Sequence, residues 1–395
     1  MTAAVKLPVQ SLEDVGAAEV LLALWAETIP SSEAFNRGIK VFTRRHKDWV
    51  FLEAIAPSDE HGLAWDVLQE MLTIDPTVEA IANAVTVARE RTNEAKSTSS
   101  IRADVLRWDT VFTKSPAMFA LPDDDALSSI TYTRIARLVE DLVREAPKSL
   151  VVIGPIPLEE VEARARAFVM GSAWSCSTHT RTAPPGEEVV PRPGLRLISE
   201  RASANLCFRL VLPFDRGTQT DTYVLLATAL ALGGAHFAPL QTRLRDWCGA
   251  AYSPSTGIEV LSTCTPLCIN VDAEGGQASA ISETIKLVVE YFELGSWRDH
   301  WRDGVEQLTG IYADAWANAR GRGVFITSNI AIGRDPRQIS TIPDILQELS
   351  EKAFETTLGE FEAEAFRGVL LGRFDAVEAG QLLRNAGFNV VKAVA

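Results

Sequence analysis

Histidine is scarce in this chain, and its spacing limits the metal chemistry available to it. The 395 residues include five histidines, of which the two closest in sequence are His46 and His61. A helical pair of histidine ligands for zinc needs a spacing of about four residues. The sequence therefore contains no two-histidine helical site, and convergence of histidines that are distant in sequence is the remaining route to one.

Long apolar runs and an excess of positive charge are also missing. No apolar run reaches about 18 residues, so the sequence predicts no membrane-spanning helix. The first residues lead to Pro8 and Glu13 rather than to a continuous apolar core, which predicts a soluble protein without a signal peptide. The net charge of −14 argues against nucleic acid or an anionic membrane as the main partner, since like charges repel. A cationic peptide is better tolerated.

The five cysteines are few and odd in number, which argues against a disulfide framework. Cys264 and Cys268 are four residues apart in a strand-like segment, so their side chains would lie about 13 Å apart and are poorly placed to share a metal. Reduced, buried thiols are typical of a cytoplasmic protein, and we expect that location.

The chain is long enough for two domains. Residues 171–193, which are rich in Ser, Thr, Pro and Gly, indicate a linker between an N-terminal domain of residues 1–170 and a C-terminal domain of residues 194–395. Each half ends in a short apolar strand that stops at a glycine, Gly154 in the first and Gly372 in the second. The sequence therefore predicts two copies of one α+β unit.

Local patterns predict the elements around the candidate sites. Residues 1–14 carry no clear pattern, whereas residues 15–28 have helical apolar spacing. Residues 38–42 and 49–55 are predicted strands joined by a charged turn at residues 44–47. In the second half we expect a helix over 221–232 and strands over 251–260 and 261–271.

The most specific pattern in the chain lies at residues 233–253. It begins with the pair Gly233 and Gly234, continues to Arg245 at the end of a helical segment, and reaches Tyr252 shortly after a further glycine. This order resembles the C-terminal-half signature of the M16 metalloproteases, the family of pitrilysin, insulinase and mitochondrial processing peptidase. The resemblance covers most of the chain and is strongest over residues 196–292.

The resemblance implies both a fold and a site. In M16 proteins two homologous halves, each a mainly antiparallel sheet packed on helices, form one arm of a clamshell. Arg245 and Tyr252 match an Arg and a Tyr that hold the substrate near the scissile bond. A guanidinium can bind a peptide carbonyl and a phenol can donate to an oxyanion. Gly233 and Gly234 are expected at the edge that binds substrate.

Each of these residues also has a purely structural interpretation. Arg245 can be an exposed helix charge, and Tyr252 a strand residue that packs on the sheet. The glycine pair can be a helix stop after Leu232 or a place where another backbone approaches closely, and both can hold.

The zinc-binding signature of the family is altered in this chain. Aligning the first half places Gly16–Ala23 on the family's Gly-x-Ala-His-x-x-Glu-His, so the two histidine ligands become Glu19 and Ala23 and the general-base glutamate becomes Leu22. Leucine and alanine have no donor atoms for zinc, even if Glu94 matches the distal ligand. We therefore expect that this chain binds no metal and that a partner subunit carries the zinc.

These observations predict a chain that is not an enzyme on its own. The resemblance implies the zinc-free subunit of a heterodimeric M16B peptidase, which would supply Arg245 and Tyr252 for cleavage of a peptide, such as a leader or precursor peptide. The alternative is a non-enzymatic peptide-binding or scaffold protein derived from the same fold. A third hypothesis is an unrelated enzyme that uses His236 or Cys248.

Overall fold

The computed structural model describes residues 1–7, 9–27, 32–114, 116–144, 146, 148–170, 194–201, 203–215, 217–251, 254–261, 263–331, 334–359 and 361–394. The first half of the sequence contains β1 (Thr2–Lys6), α1 (Leu12–Glu27), α2 (Ser32–Asn36), β2 (Lys40–His46), β3 (Trp49–Ile55), α3 (His61–Leu72), α4 (Val78–Ser97), α5 (Ser99–Leu106), α6 (Trp108–Val111), α7 (Asp124–Ser128), α8 (Tyr132–Arg144), β4 (Lys148–Val151) and α9 (Leu158–Met170).

The second half contains β5 (Leu195–Ser199), β6 (Asn205–Asp215), α10 (Gln219–Ala229), α11 (Pro239–Gln241), β7 (Ser255–Ile258), β8 (Cys264–Glu274), α12 (Ala278–Phe292), α13 (Trp301–Ala317), α14 (Ala319–Ala331), α15 (Ile342–Glu348), α16 (Glu351–Leu358), β9 (Arg367–Gly372), α17 (Ala376–Asn385) and β10 (Val390–Val394). Two π-helical turns, Leu230–Gly234 and Thr242–Trp247, flank α11.

The chain forms two compact units, and each is assembled from discontinuous pieces. The first unit consists of Met1–Glu94, Ala117–Arg181 and Ala313–Ile339, and the second of Ala95–Pro116, Thr182–Tyr312 and Ser340–Ala395. Each unit thus includes a piece from the opposite half of the sequence. The domain limits expected at residues 170 and 194 stay a prediction, because the expected linker, residues 171–193, lies outside the described residues.

The first unit is built on a four-stranded antiparallel sheet in the order β2-β3-β1-β4. Ala4 of β1 pairs with Phe51 of β3, both are fully buried, and Ala331 of α14 packs against them. Helix α1, which is buried along most of its length, contacts β2 and α7. The second half of the sequence thus supplies a helix that packs on the sheet of the first unit.

A buried carboxylate fixes α14 on this sheet. Glu53 of β3 is 3% exposed, and its carboxylate lies 3.3 Å from Arg44 Nε of β2 and 3.4 Å from Arg320 Nε of α14. A buried charge that loses its partners costs several kcal/mol. Contact between α14 and the sheet is therefore specified by charge as well as by apolar packing.

The second unit is built on a six-stranded sheet in the order β10-β5-β9-β6-β8-β7. The β10-β5 and β5-β9 pairs are parallel, and the other three pairs are antiparallel. Gly368 of β9 has φ +150°, and a Cβ there would lie only 1.9 Å from the carbonyl oxygen of Arg209 in β6. Only glycine lets these two strands approach so closely.

Arg209 is a buried charge in the second unit, and its side chain is 2% exposed. Its Nε donates to Asp104 Oδ1 of α5 at 2.8 Å, and its Nη2 donates to Asp272 Oδ2 of β8 at 3.1 Å. Burial disfavours the charged guanidinium, but the two carboxylates outweigh this effect and raise the pKa of Arg209. Helix α5, from the first half of the sequence, is thereby tied to the sheet of the second unit.

Helix α10 begins at a capping box. The Oγ1 of Thr218 accepts from the backbone N–H of Asp221 at 3.2 Å, and the Asp221 carboxylate accepts from the backbone N–H of Thr218 at 2.7 Å. The helical run Gln219–Trp247 is long and apolar enough to cross a membrane by length and composition alone, but more than half of it is buried inside the protein. A core helix passes the same test.

Some local predictions differ from the structure. Residues 1–14, which carry no clear pattern, contain β1, a central strand whose small residues become strand only through pairing on both sides. The charged residues 44–46 lie in β2 rather than in a turn, because Arg44 faces Glu53. The turn is at Lys47 and Asp48, with Lys47 at φ +57°.

Replacing the buried arginine tests the contact between α5 and the sheet. We expect Arg209→Met to lower the free energy of unfolding by about 2 kcal/mol or more, because two half-exposed carboxylates and the buried carbonyl oxygen of Val271 lose their shared donor. The matched control is Arg102→Met on α5, whose ion pair with Glu200 is about one third exposed and should contribute less than about 1 kcal/mol. Urea unfolding followed by tryptophan fluorescence measures both; equal losses would contradict the expectation.

Candidate functional site

The candidate site lies where α10 ends and the chain returns toward β7. The π-helical turn Leu230–Gly234 continues α10 past the expected stop at Leu232. Helix α11 then begins with Pro239 at its first turn, and its missing N–H is harmless there. Leu240 and Leu244 are fully buried and anchor the returning segment. Residues 235–239 are therefore held between the end of the first π-helical turn and these two leucines.

Gly233 is required by close packing against the edge strand β7. A Cβ at this position would lie 2.9 Å from the side chain of Thr256 and 3.0 Å from Leu240. The Gln241 amide donates to the carbonyl oxygens of Gly233, at 3.5 Å, and of Pro254. Side chains, and not another backbone, thus approach Gly233 closely, whereas Gly234 is the exposed last residue of the helical turn.

Arg245 lies in the second π-helical turn and has a half-buried side chain. Its Nε donates to Asp246 Oδ1 at 2.9 Å, and its Nη1 donates to His236 Nδ1 at 3.0 Å. A guanidinium has five N–H donors, so these two bonds leave three. Arg245 is thus held in one orientation and keeps donors for a further oxygen.

Tyr252, the other half of the expected pair, lies outside the described residues, as does Ser253. Its described neighbour Ala251 donates from its backbone N–H to the carbonyl oxygen of Leu244 at 3.2 Å, and Ala250 does so at 2.8 Å. Ala251 also forms an isolated β-bridge to Ala273 of β8, a residue that pairs with Leu206 of β6. The backbone just before Tyr252 is therefore bonded to the residue just before Arg245.

The surface around Arg245 carries two exposed aromatic side chains. Phe237 is 69% exposed and Trp247 is 74% exposed. His236 is exposed too.

The positions aligned with zinc ligands lie on α1. The Glu19 carboxylate forms an ion pair with Arg45 Nη1 of β2. Leu22 is 8% exposed and Ala23 is fully buried, so both belong to the apolar core. Within the described part of the chain, no group of three or more His, Cys, Asp or Glu side chains is arranged to hold a metal ion. That this chain binds no zinc stays a prediction, which a measurement of its metal content would test.

No disulfide joins the four cysteines that the structure describes. Cys207, Cys264 and Cys268 are buried and Cys248 is exposed. Burial raises the pKa of the Cys207 thiol to about 12, so this group is not a nucleophile near neutral pH.

Solved structures reveal what this arrangement of elements is similar to. A peptidase M16 inactive domain from Pseudomonas fluorescens matches with a TM-score of 0.76 at 16% identity, over 94% of this chain and 92% of that chain. A protease from Helicobacter pylori matches with a TM-score of 0.79 at 12% identity, over 94% and 93% of the two chains.

The periplasmic protease PqqL from Escherichia coli matches with a TM-score of 0.71 at 11% identity, over 94% of this chain and 42% of that longer protease. No family profile and no curated protein sequence matches the chain. The chain has the fold of the M16 peptidases.

The M16 fold confirms the α+β architecture expected from the sequence, including sheets packed on helices in each unit. The same fold agrees with the family resemblance found at residues 233–253. Leu22 and Ala23 of α1 lie at the positions that align with the zinc motif. The roles of Gly233, Gly234, Arg245 and Tyr252 stay predictions. Sequence reasoning missed the bond from Arg245 to His236, for which a histidine nine residues before the arginine is the only signal.

Substituting the packed glycine tests the geometry between α10 and β7. We expect Gly233→Ala to lower the free energy of unfolding by about 1–3 kcal/mol, because the added Cβ forces Thr256 or Leu240 to move. Gly257→Ala on β7 is the matched control, since a Cβ there meets nothing within 4 Å. Chemical unfolding compares the two variants, and a Gly233→Ala protein as stable as the control would mean that the packing is loose.

Proposed function

We propose that this chain is the zinc-free subunit of a two-subunit M16-type peptidase, inactive on its own. A partner subunit with an intact His-x-x-Glu-His motif would carry the zinc and activate the water. This chain would supply Arg245 and Tyr252 and part of the cavity that holds a peptide substrate. A cytoplasmic location, expected from the odd number of cysteines and their apolar surroundings, belongs to the same proposal.

The observation that carries the proposal is the contrast between the two halves of an M16 fold. On α1, Leu22 and Ala23 are core residues without donor atoms. After α11, the Arg245 guanidinium is bonded to His236 and Asp246 and keeps three N–H donors. An oriented guanidinium with free donors supports a retained binding role for this subunit.

In this proposal Arg245 binds a carbonyl oxygen of the substrate near the scissile bond. Charge-assisted hydrogen bonds of this kind are shorter and stronger than neutral ones. Tyr252 would donate to the oxyanion as it forms at the zinc of the partner, where a preorganised donor lowers the barrier.

The substrate would be a peptide in extended conformation. β7 is an edge strand of the six-stranded sheet and pairs only with β8 among the described strands. A free strand edge can add a peptide through backbone hydrogen bonds. The net charge of −14 favours a cationic peptide over an acidic one.

A non-enzymatic peptide-binding or scaffold role is the second candidate. It is favoured by the similarity to a protein described as an M16 inactive domain. The two roles differ in what they require of Arg245, because only the peptidase role needs this residue for peptide cleavage.

We expect Arg245→Ala to lower the kcat/KM of the assembled complex by about 10- to 100-fold, because the substrate loses a hydrogen bond to a charged donor. Assembly, followed by size-exclusion chromatography, should be unchanged. Arg243→Ala is the matched control two residues away, since Arg243 is already paired with Glu290 at 2.6 Å, and it should stay within about twofold of the native complex.

Cleavage of a quenched fluorescent peptide library measures these values. Full activity of the Arg245→Ala complex would contradict the assigned role. Absence of activity in the native complex would favour the scaffold role instead.

A further inference from the structure

The contact with Arg245 identifies the ring nitrogen of His236 that accepts a hydrogen bond. A guanidinium has only donors, so the 3.0 Å contact between Arg245 Nη1 and His236 Nδ1 requires Nδ1 to be the acceptor. An imidazolium ring has no acceptor nitrogen. The geometry therefore calls for neutral His236 with its proton on Nε2.

Asp246 completes the arrangement from the other side. Its Oδ1 accepts from Arg245 Nε at 2.9 Å, but its side chain is 44% exposed and Arg245 is 35% exposed. An exposed ion pair between adjacent residues fixes a long side chain only weakly. A second contact at a different nitrogen of the guanidinium is what restricts its rotation, and His236 provides that contact.

The backbone that carries His236 is itself well anchored. The N–H of Ala238 donates to the carbonyl oxygen of Ala235 at 3.0 Å, and the N–H of Thr242 donates to the carbonyl oxygen of Ala238 at 2.9 Å. Ala238 is buried. His236 is therefore presented from a closed turn and not from a loose loop, although its ring is exposed.

We propose that His236 and Asp246 are positioning residues that together orient Arg245 toward the substrate carbonyl. This inference rests on the proposed function for its consequence in catalysis and on the two hydrogen bonds for its geometry. With Nε bound to Asp246 and one Nη1 hydrogen bound to His236, the second Nη1 hydrogen and both Nη2 hydrogens remain for the substrate. His236 touches Arg245 and not the reacting atoms.

The tautomer is tested without any partner or substrate. In the full chain labelled with ¹⁵N-histidine, NMR separates the ring nitrogens of five histidines, and the His236→Asn spectrum identifies those of His236. We expect the neutral ring with the proton on Nε2, and a shift toward a tautomer mixture in Arg245→Ala. A proton on Nδ1, or a His236 signal that does not respond to Arg245→Ala, would overturn the positioning role.

Activity of the assembled complex tests the consequence. We expect His236→Phe to lower kcat/KM about tenfold, since one hydrogen bond to a charged group is lost. His236→Asn should recover most of this loss, because its amide oxygen can accept from Arg245. In an Arg245→Ala background, His236→Phe should cause no further loss.

A purely structural role of His236 predicts something different, namely equal effects of Phe and Asn and an additive loss in the double variant. Either result would overturn the proposal. The thermal unfolding midpoint of each variant is measured alongside, and it should not change because the ring is exposed. If the native complex cleaves no peptide, the proposed function fails, while the NMR result still decides whether His236 orients Arg245.

Discussion

A buried arginine held between two carboxylates is the interaction on which the second unit depends. Arg209 lies in the middle of its sheet, and its partner Asp104 is on a helix from the other half of the sequence. The first unit has the same device with the charges reversed, since Glu53 is buried in its sheet and Arg320 comes from the second half. Because an unpaired buried charge is costly, each sheet requires a helix that the opposite half provides.

Neither of these ion-pair clusters includes a residue of α1, so neither uses the positions aligned with the zinc motif. Leu22 and Ala23 of α1, which align with zinc-site positions of the family, are buried in the apolar core. Arg245 is different, because a half-exposed arginine bonded to two neighbours contributes little to folding. We propose that its position serves substrate binding and not stability.

The sequence predicts those elements whose pattern is local. The helix expected over residues 15–28 corresponds to α1, and the helix expected over residues 221–232 corresponds to α10 with the π-helical turn that follows it, because helical spacing is contained within each segment. Local patterns do not predict three of the short strands, β1, β5 and β10, because each is defined by partner strands far away in the chain. The candidate site divides in the same way. A motif identifies Arg245, whereas its bond to His236 depends on a π-helical turn that no sequence pattern specifies.

The central claim is that catalysis is divided between two chains, with zinc in one and Arg245 in the other. The most direct test is the zinc content and peptide cleavage of this chain alone, of a subunit with an intact zinc motif alone, and of their mixture. We predict no bound zinc in this chain, activity only in the mixture, and loss of that activity with a chelator. Stoichiometric zinc together with cleavage by this chain alone would contradict the claim.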